Sequence, residues 1–175
     1  LQGINGRFID MTVKVRPGNG SIMYKWFKIN VARDGEHFTS IRYKPETNTI
    51  RVDRTNSGLP CDIVNVRDFP VSTQNGEITL RLIMDRYSLE LFVNDGEQAA
   101  SFIIYTELDA RSINFVADGV VLVDVDKYDL EVLPVNNWDS TIKEMVDKAQ
   151  IGSNGSDNKL LAWGEKPSEN IPVIV

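Results

Sequence analysis

Two segments of the chain place acidic and basic side chains next to each other where a strand-like run ends. The first is Val52-Asp53-Arg54-Thr55-Asn56-Ser57-Gly58, and the second is Met84-Asp85-Arg86-Tyr87-Ser88-Leu89-Glu90-Leu91-Phe92-Val93-Asn94-Asp95-Gly96. A glycosidase acts through two carboxylates, about 5 Å apart when configuration is retained and roughly 6.5–9.5 Å apart when it is inverted. Asp85 and Glu90 are the pair whose chemistry fits that task.

Strand geometry decides how Asp85 and Glu90 are placed. Five positions apart on one extended strand, their side chains point to opposite faces of a sheet. A turn at Tyr87-Ser88 would change the face to which each of the two side chains points. We interpret Asp85 and Arg86 as an ion pair at a strand end, and Glu90 as an outward polar residue. On this interpretation neither segment supplies a catalytic residue.

A second set of candidates lies between residues 23 and 31, where two kinds of side chain alternate. One face would carry Tyr24, Trp26, Lys28 and Asn30, and the other would carry Met23, Phe27, Ile29 and Val31. Aromatic rings beside amide and ammonium groups can stack on sugar rings and bond their hydroxyls. The same pattern fits a strand that is buried on both sides or packed against another domain, so both interpretations stay open.

The remaining candidates for chemistry are few. Asp124 and Asp126 share a strand face and could offer oxygen ligands to calcium, but they lack the spacing of an EF-hand loop, so we expect a solvated acidic edge. The single cysteine, Cys61, has no neighbouring base that would activate it. The single histidine, His37, excludes a multi-histidine metal site within one chain. We therefore predict no metal and no cofactor.

The charge balance restricts the class of partner. The chain has 25 acidic against 19 basic residues and a formal net charge of −6, whereas a nucleic-acid-binding protein clusters Lys and Arg. No apolar run approaches the ~20 residues that span a bilayer. We predict no nucleic-acid partner and no membrane insertion. Because the chain starts at Leu1 without a signal segment, we expect a fragment whose targeting signal, if any, lies upstream. The compartment stays open, with a secreted or cell-surface location favoured over the cytoplasm.

The elements that must position these residues are short strands. Alternating runs separated by turn dipeptides predict an all-β fold, an antiparallel two-sheet sandwich of jelly-roll or concanavalin-like type. Asp95-Gly96 and Asp118-Gly119 have the residues of tight hairpins. The predicted strands span 9–16, 21–32, 38–44, 49–54, 78–84, 88–93, 100–105, 112–117 and 120–133.

The pattern changes after Leu133. Residues 139–150 are predicted as a short C-terminal helix, because Thr141 and Glu144 form a capping box and the apolar residues recur at helical spacing. Residues 152–158 are polar and Gly-rich, as in a flexible linker. We therefore divide the chain into a sandwich domain over 1–133 and a helix plus extension over 134–175.

The two segments that opened this section resemble the C-terminal β-sandwich of glycoside hydrolase family 32. That family contains invertases, levanases, inulinases and related β-fructosidases. The resemblance covers about residues 7 to 133. It depends on scaffold positions Asp53, Arg54, Asp85, Arg86, Glu90, Asn94, Asp95 and Gly96.

The resemblance implies that catalysis belongs to an N-terminal propeller, whose acidic motifs have no match here. Arg67-Asp68 is followed by Phe69 where the family has Pro, and Cys61 follows Pro60 where the family has Glu. The chain would be a non-catalytic accessory sandwich, with the propeller as its partner and sucrose, levan or inulin as the substrate of the parent enzyme. A homo-oligomer is compatible with it. A fructan-binding module that uses Tyr24, Trp26, Lys28 and Asn30 is the alternative.

Overall fold

The structure, a computed structural model, describes residues 3–18, 23–58 and 64–131. Their regular structure consists of β-strands, with short 3-10 turns at Pro45–Thr47 and Asn94–Gly96. The strands are β1 (Ile9–Pro17), β2 (Trp26–Asp34), β3 (His37–Lys44), β4 (Thr49–Asp53), β5 (Val66–Pro70), β6 (Ile78–Asp85), β7 (Ser88–Val93), β8 (Gln98–Ile103), β9 (Ser112–Asp118) and β10 (Val121–Asp129).

The strands form two sheets of five strands each. The first sheet has the order β10-β1-β6-β7-β8, and the second has the order β5-β4-β3-β2-β9. Each ladder between neighbouring strands is antiparallel. The predicted all-β, antiparallel two-sheet sandwich is therefore confirmed.

The core lies between the two sheets and follows from strict alternation along the central strands. Every second residue of β1, β6 and β7 is fully buried, whereas the residues between them are partly or fully exposed. The second sheet contributes inward residues from β2, β3 and β4, and burial of each large apolar side chain stabilises the fold by about 1.5–3 kcal/mol. The fully buried set includes Ile9, Met11, Val13, Leu80, Leu82, Met84, Leu89, Leu91, Val93, Ile29, Ile41, Tyr43, Ile50 and Val52.

Several strand predictions were wrong in their details. β8 spans Gln98–Ile103 and not 100–105, and β10 ends at Asp129 and not at 133. β2 begins at Trp26 and not at residue 21, because the chain bends at Lys25 just before it. β5 was not predicted at all, since Val66-Arg67-Asp68-Phe69-Pro70 lacks alternation and ends in proline. Proline is tolerated there because β5 is an edge strand.

The turn at Asp118-Gly119 also differs from its prediction. It joins β9 of the second sheet to β10 of the first, so it is a crossing between sheets and not a hairpin. Gly119 has φ +119°, and an added Cβ would lie 2.8 Å from the Cα of Tyr24. Glycine is therefore required by both backbone conformation and close approach. The Asp95-Gly96 turn does join paired neighbours, β7 and β8.

Several predictions lie outside the described residues. These are the helix over 139–150, the linker and extension that follow it, and any role for Cys61. Within the described ranges, no helix is long and apolar enough to cross a membrane.

Candidate functional site

The outer side of the second sheet carries a polar surface with a cavity in it. Its members alternate with the core residues of β2, β3 and β4, and we call them the polar face: Trp26, Lys28, Asn30, Ser40, Arg42, Arg51 and Asp53. In the strand register Lys28 stands opposite Arg42, and Arg42 stands opposite Arg51. One row along, Asn30 stands opposite Ser40, and Ser40 opposite Asp53.

The cavity has a volume of about 260 Å³. Its lining mixes three cationic groups with one carboxylate, two neutral polar side chains and one aromatic ring. The lining residues are Lys28, Phe38, Ser40, Arg42, Arg51, Asp53 and Asn56. Such a lining suits a polar ligand and not a purely apolar one.

Tyr24 does not belong to this face, so its predicted orientation was wrong. It is 1 % exposed, its hydroxyl donates to the carbonyl oxygen of Gly76 at 2.7 Å, and its ring contacts that of Tyr43 edge-on. Burial raises the pKa of the Tyr24 hydroxyl well above its usual value. Because the chain bends at Lys25, the alternation of β2 does not extend back to Tyr24. Met23, predicted to face inward, is 46 % exposed for the same reason.

Trp26, Lys28 and Asn30 do share the outer face, as their spacing indicates. Trp26 is half-buried, and the Lys28 Nζ lies 5.7 Å from the centroid of its ring. Asn30 is only 5 % exposed, and its Oδ1 has no hydrogen-bond partner. Asn30 therefore contributes a buried hydrogen-bond acceptor to this side of β2.

Opposite charges pair at the far side of the polar face. Arg51 donates from Nε and Nη2 to the two carboxylate oxygens of Asp68, at 2.7 and 2.6 Å. These bonds hold the pKa of the Asp68 carboxyl below its usual range and raise the pKa of Arg51. Arg81 and Asp10 form the same two-bond geometry on the outer face of the first sheet, at 2.9 and 2.6 Å.

Asp85 and Glu90 lie on one face of the first sheet, contrary to the prediction that their side chains point to opposite faces. Ser88 pairs with Asp85 and Glu90 pairs with Ile83, because the chain reverses at Arg86-Tyr87. Glu90 points outward, as predicted, and accepts a hydrogen bond from the Ser101 hydroxyl. The predicted ion pair between Asp85 and Arg86 is not formed among the described contacts. Arg86 instead has φ +42°, and its carbonyl oxygen accepts a bond from Arg7.

Arg54, in the first segment, is a buried arginine that connects the two sheets. It is 9 % exposed and donates to the carbonyl oxygens of Ile103 at 3.1 Å and Val64 at 3.0 Å. Its guanidinium carbon lies 5.8 Å from the ring centroid of Tyr105. The neighbouring Asp53 accepts the backbone N–H of Thr55 at 2.9 Å, which closes the turn after β4.

Arg7 has a similar role that the sequence did not reveal. It is 2 % exposed and donates to the Thr106 hydroxyl, the Thr106 carbonyl and the Arg86 carbonyl at 2.7–2.9 Å. Burial lowers the pKa of its guanidinium. Arg7 lies before β1 in a stretch without alternation, so no periodic pattern distinguishes it from a surface arginine.

At the opposite end of the sandwich, Asn94 fixes the connection between β5 and β6. Its Oδ1 accepts the backbone N–H of Thr79 at 3.1 Å, and its Nδ2 donates to the Ser72 carbonyl at 3.1 Å and to Glu97 at 3.0 Å. Glu97 also accepts the Ser72 N–H. Asp95 holds the left-handed φ of +58° and Gly96 one of +96°, conformations that Asp and Gly tolerate.

The acidic edge is open to solvent. Asp124 and Asp126 are exposed on the outer face of β10, and Asp124 lies 3.1 Å from the Arg16 guanidinium. His37 is exposed at the start of β3, with Nδ1 3.0 Å from Asp34. Across the part of the chain that the structure describes, no group of three or more His, Cys, Asp or Glu side chains could hold a metal ion.

Residues 1–132 match the profile of the family described as Glycosyl hydrolases family 32 C terminal. The chain belongs to that family. The sequence resemblance is thereby confirmed. A levanase from Bacillus subtilis (strain 168) is 30 % identical over 129 residues, which are 70 % of this chain and 19 % of that protein. The chain thus spans less than a fifth of the length of this relative, and 13 % of a levanase from a second Bacillus strain.

The sandwich fold resembles that of solved structures. An exo-inulinase from Aspergillus awamori matches with a TM-score of 0.62 at 21 % identity, over 74 % of this chain and 26 % of that chain. A galectin from Caenorhabditis elegans matches with a TM-score of 0.52 at 16 % identity, over 75 % of this chain and 87 % of the galectin. At these identities the likeness shows the fold alone.

Proposed function

We propose that this family 32 C-terminal domain is the non-catalytic sandwich of a β-fructosidase and that it packs against and stabilises the catalytic propeller of that enzyme. The observation that supports this most directly is an exposed apolar surface along one side of the sandwich, which we call the edge patch. Its apolar members are Val116, Val120, Leu122, Tyr128 and Leu130, and the exposed Asp124 and Asp126 lie on β10 between Leu122 and Tyr128. Val120 is 62 % and Tyr128 69 % exposed. Exposed apolar residues gathered on one side of a domain favour an interaction surface.

The edge patch adjoins an opening between the two sheets. There β9 and β10 are the outer strands of their sheets. A groove of about 260 Å³ runs between them, lined by Phe27, Phe115, Val116, Ala117, Val121 and Val123. Partner side chains inserted here would extend the core of the sandwich.

The first described residues run along this same side. Asn5 forms a bridge with Ser112, the Gly6 N–H donates to the Arg111 carbonyl, and the Ile113 N–H donates to the Ile4 carbonyl. A propeller joined through the residues before Gly3 would therefore meet the sandwich next to the edge patch.

The scaffold positions support a structural role by the bonds they make. Arg54 and Asn94 use their side-chain groups on backbone atoms of other strands and loops. Asp53 closes a turn, and Glu90 bonds Ser101. These contacts bind the fold together, and we assign none of these residues a catalytic role.

The decisive experiment starts by sequencing the gene that encodes this chain. Under this proposal it encodes a family 32 propeller upstream of residue 1, and that propeller, produced separately, binds the 175-residue chain in isothermal titration calorimetry. Absence of a propeller from the gene, or absence of binding, would contradict the proposal. The chain alone should not release fructose from sucrose.

A matched pair of variants locates the contact. Leu122→Asp places a charge in the edge patch, and Ile103→Asp places one at the opposite edge of the same sheet, where Ile103 is 54 % exposed. Leu122→Asp should weaken propeller binding by about tenfold or more, because a charge is desolvated at an interface, whereas Ile103→Asp should not. Light scattering tests the other occupant, since dimers lost in Leu122→Asp alone would show that a second copy covers the patch.

The second candidate is a fructan-binding module on the polar face. It is favoured by Trp26, Lys28 and Asn30, which share that face beside the cavity. Retention of the chain on a levan or inulin column, lost in Trp26→Ala, would support this function. No retention would exclude it, and Phe92→Ala on the outer face of the first sheet serves as the aromatic control.

A further inference from the structure

The polar face contains a row of three cations that oppose one another directly. Lys28 of β2, Arg42 of β3 and Arg51 of β4 occupy successive cross-strand positions. Like charges directly opposite in a sheet are destabilising. The first sheet avoids this arrangement, since Arg81 stands opposite Thr12 and Phe92, and Lys14 stands opposite Asp124.

The carboxylates near the row do not balance it. Asp68 is bound to Arg51 through both oxygens, and Asp53 uses one oxygen on the Thr55 N–H. Three cations against these two carboxylates leave one positive charge in excess, in a chain of net charge −6. Arg42, at the centre of the row, has a buried Nε without a hydrogen-bond partner among the described residues.

We propose that the cavity on the polar face binds a small ligand that carries a phosphate or carboxylate group, with that group held by Lys28, Arg42 and Arg51. A guanidinium with unused donors is suited to oxyanions, because it presents its N–H groups in a fixed planar fork. The rest of the lining indicates that the ligand also carries hydroxyls, because Ser40, Asp53 and Asn56 offer polar groups to the cavity. Val116 of the edge patch stands opposite Lys28 of this site, but the inference does not depend on the proposed function.

The first test measures binding to the full 175-residue chain at low ionic strength, by titration calorimetry and by amide chemical shifts. The probes are inorganic phosphate, fructose 6-phosphate and fructose. We expect phosphate and fructose 6-phosphate to bind, with shifts at β2, β3 and β4. Arg42→Gln should weaken that binding by about tenfold or more, because a charged hydrogen bond is lost. Arg81→Gln, on the other sheet, is the matched control and should bind as the unmodified chain does.

The second test separates a binding role from a structural one. Without ligand, Arg42→Gln should melt at the same temperature as the unmodified chain or higher, because the substitution relieves repulsion within the row. Phosphate should raise the melting temperature of the unmodified chain and of Arg81→Gln by mass action, and should raise that of Arg42→Gln much less. Sodium chloride at matched ionic strength should not reproduce the rise.

The possible outcomes distinguish a free oxyanion from a sugar-linked one as the ligand, and they include results that would contradict the proposal. Equal affinity for phosphate and fructose 6-phosphate supports a site for the oxyanion itself, whereas tighter binding of fructose 6-phosphate supports a sugar-linked ligand. Binding of fructose without any binding of the phosphates would overturn the proposal in favour of a neutral-sugar site. Absence of binding, or equal binding by Arg42→Gln, would also overturn it, and neither result bears on propeller association.

Discussion

At the scale of single residues, this domain is held together by polar side chains that reach from turns to distant backbone atoms. Arg54 and Arg7 both bind the segment between Ile103 and Thr106, which leads from the first sheet to the second. Asn94 does the same for the connection between β5 and β6. Arg7 satisfies a buried carbonyl and Arg54 two part-buried ones, so loss of either side chain leaves unpaired polar groups behind.

Arg54→Ala should therefore be strongly destabilising. It removes two part-buried hydrogen bonds to backbone carbonyls and the packing on Tyr105, so we expect a loss of about 3 kcal/mol in the free energy of unfolding. Arg54→Lys should recover only part of the lost stability, because a lysine ammonium cannot reproduce the planar arrangement of N–H donors in a guanidinium. Urea denaturation measures both, and the exposed Arg67→Ala is the control, expected within about 0.5 kcal/mol of the parent. Equal stability of Arg54→Ala and Arg67→Ala would contradict the assigned role.

Glu97 should make the stability of the domain depend on acid pH. Hydrogen bonds from the Asn94 side chain, and then from Ser72, hold the pKa of the Glu97 carboxyl below its ordinary 4.5. A lowered folded-state pKa stabilises the fold above the unfolded value, and this contribution disappears as the pH falls below 4.5 and through the folded pKa. Melting temperatures of the parent and Glu97→Gln should differ at pH 7 and converge on acidification. The exposed Glu36→Gln should show no such change, and parallel curves for Glu97→Gln would contradict the assignment.

At the scale of elements, alternation allowed most strands to be predicted from sequence. β1, β6 and β7 are long enough, and regular enough, for period-two patterning to fix both their existence and their inward residues. The alternation could not show how a reversal of the chain changes the face of the sheet to which the later residues point. The bend at Lys25 turns Tyr24 into the core, and the reversal at Arg86-Tyr87 puts Asp85 and Glu90 on one face.

The candidate site was only partly predictable for a related reason. Trp26, Lys28 and Asn30 follow from one strand, but Ser40, Arg42, Arg51 and Asp53 join them through pairing between strands. Cross-strand register depends on which strands become neighbours, and no single segment contains that information. Contacts between residues far apart in the sequence, such as those of Arg7 with Thr106, cannot be predicted from a local pattern either.

The crossing turn at Gly119 gives a test at this scale. Gly119→Ala forces a Cβ to 2.8 Å from the backbone of Tyr24, at a φ that alanine rarely adopts. We expect it to destabilise the fold by about 3 kcal/mol. Gly35→Ala is the matched control, because Gly35 has φ +56° but nothing lies within 4 Å of an added Cβ. It should cost about 1 kcal/mol, and equal effects in chemical denaturation would show that contact with Tyr24 does not matter.

At the scale of the whole molecule, the two outer surfaces of the sandwich differ in character. The edge patch carries exposed apolar side chains beside the groove between the sheets, with Asp124 and Asp126 among them, whereas the polar face carries three cations in an acidic chain. The two surfaces are therefore suited to different partners, a protein domain at the first and a small anion at the second.

Ionic strength should affect the two binding reactions differently. Titrations repeated from 50 mM to about 500 mM salt should weaken anion binding strongly and propeller binding little, because screening acts on exposed charges.

The position of β1 has a consequence for how the domain is made. β1 lies between β6 and β10, and Ile9 pairs with Asp129, so one of the earliest strands synthesised acquires its second neighbour only when the last one appears. Until then β1 keeps an unpaired edge that can pair with other chains. With synthesis at ~5–20 residues per second, that edge stays exposed for several seconds. A nascent chain stopped at residue 119 should bind holdase chaperones, and one extended through residue 131 should release them.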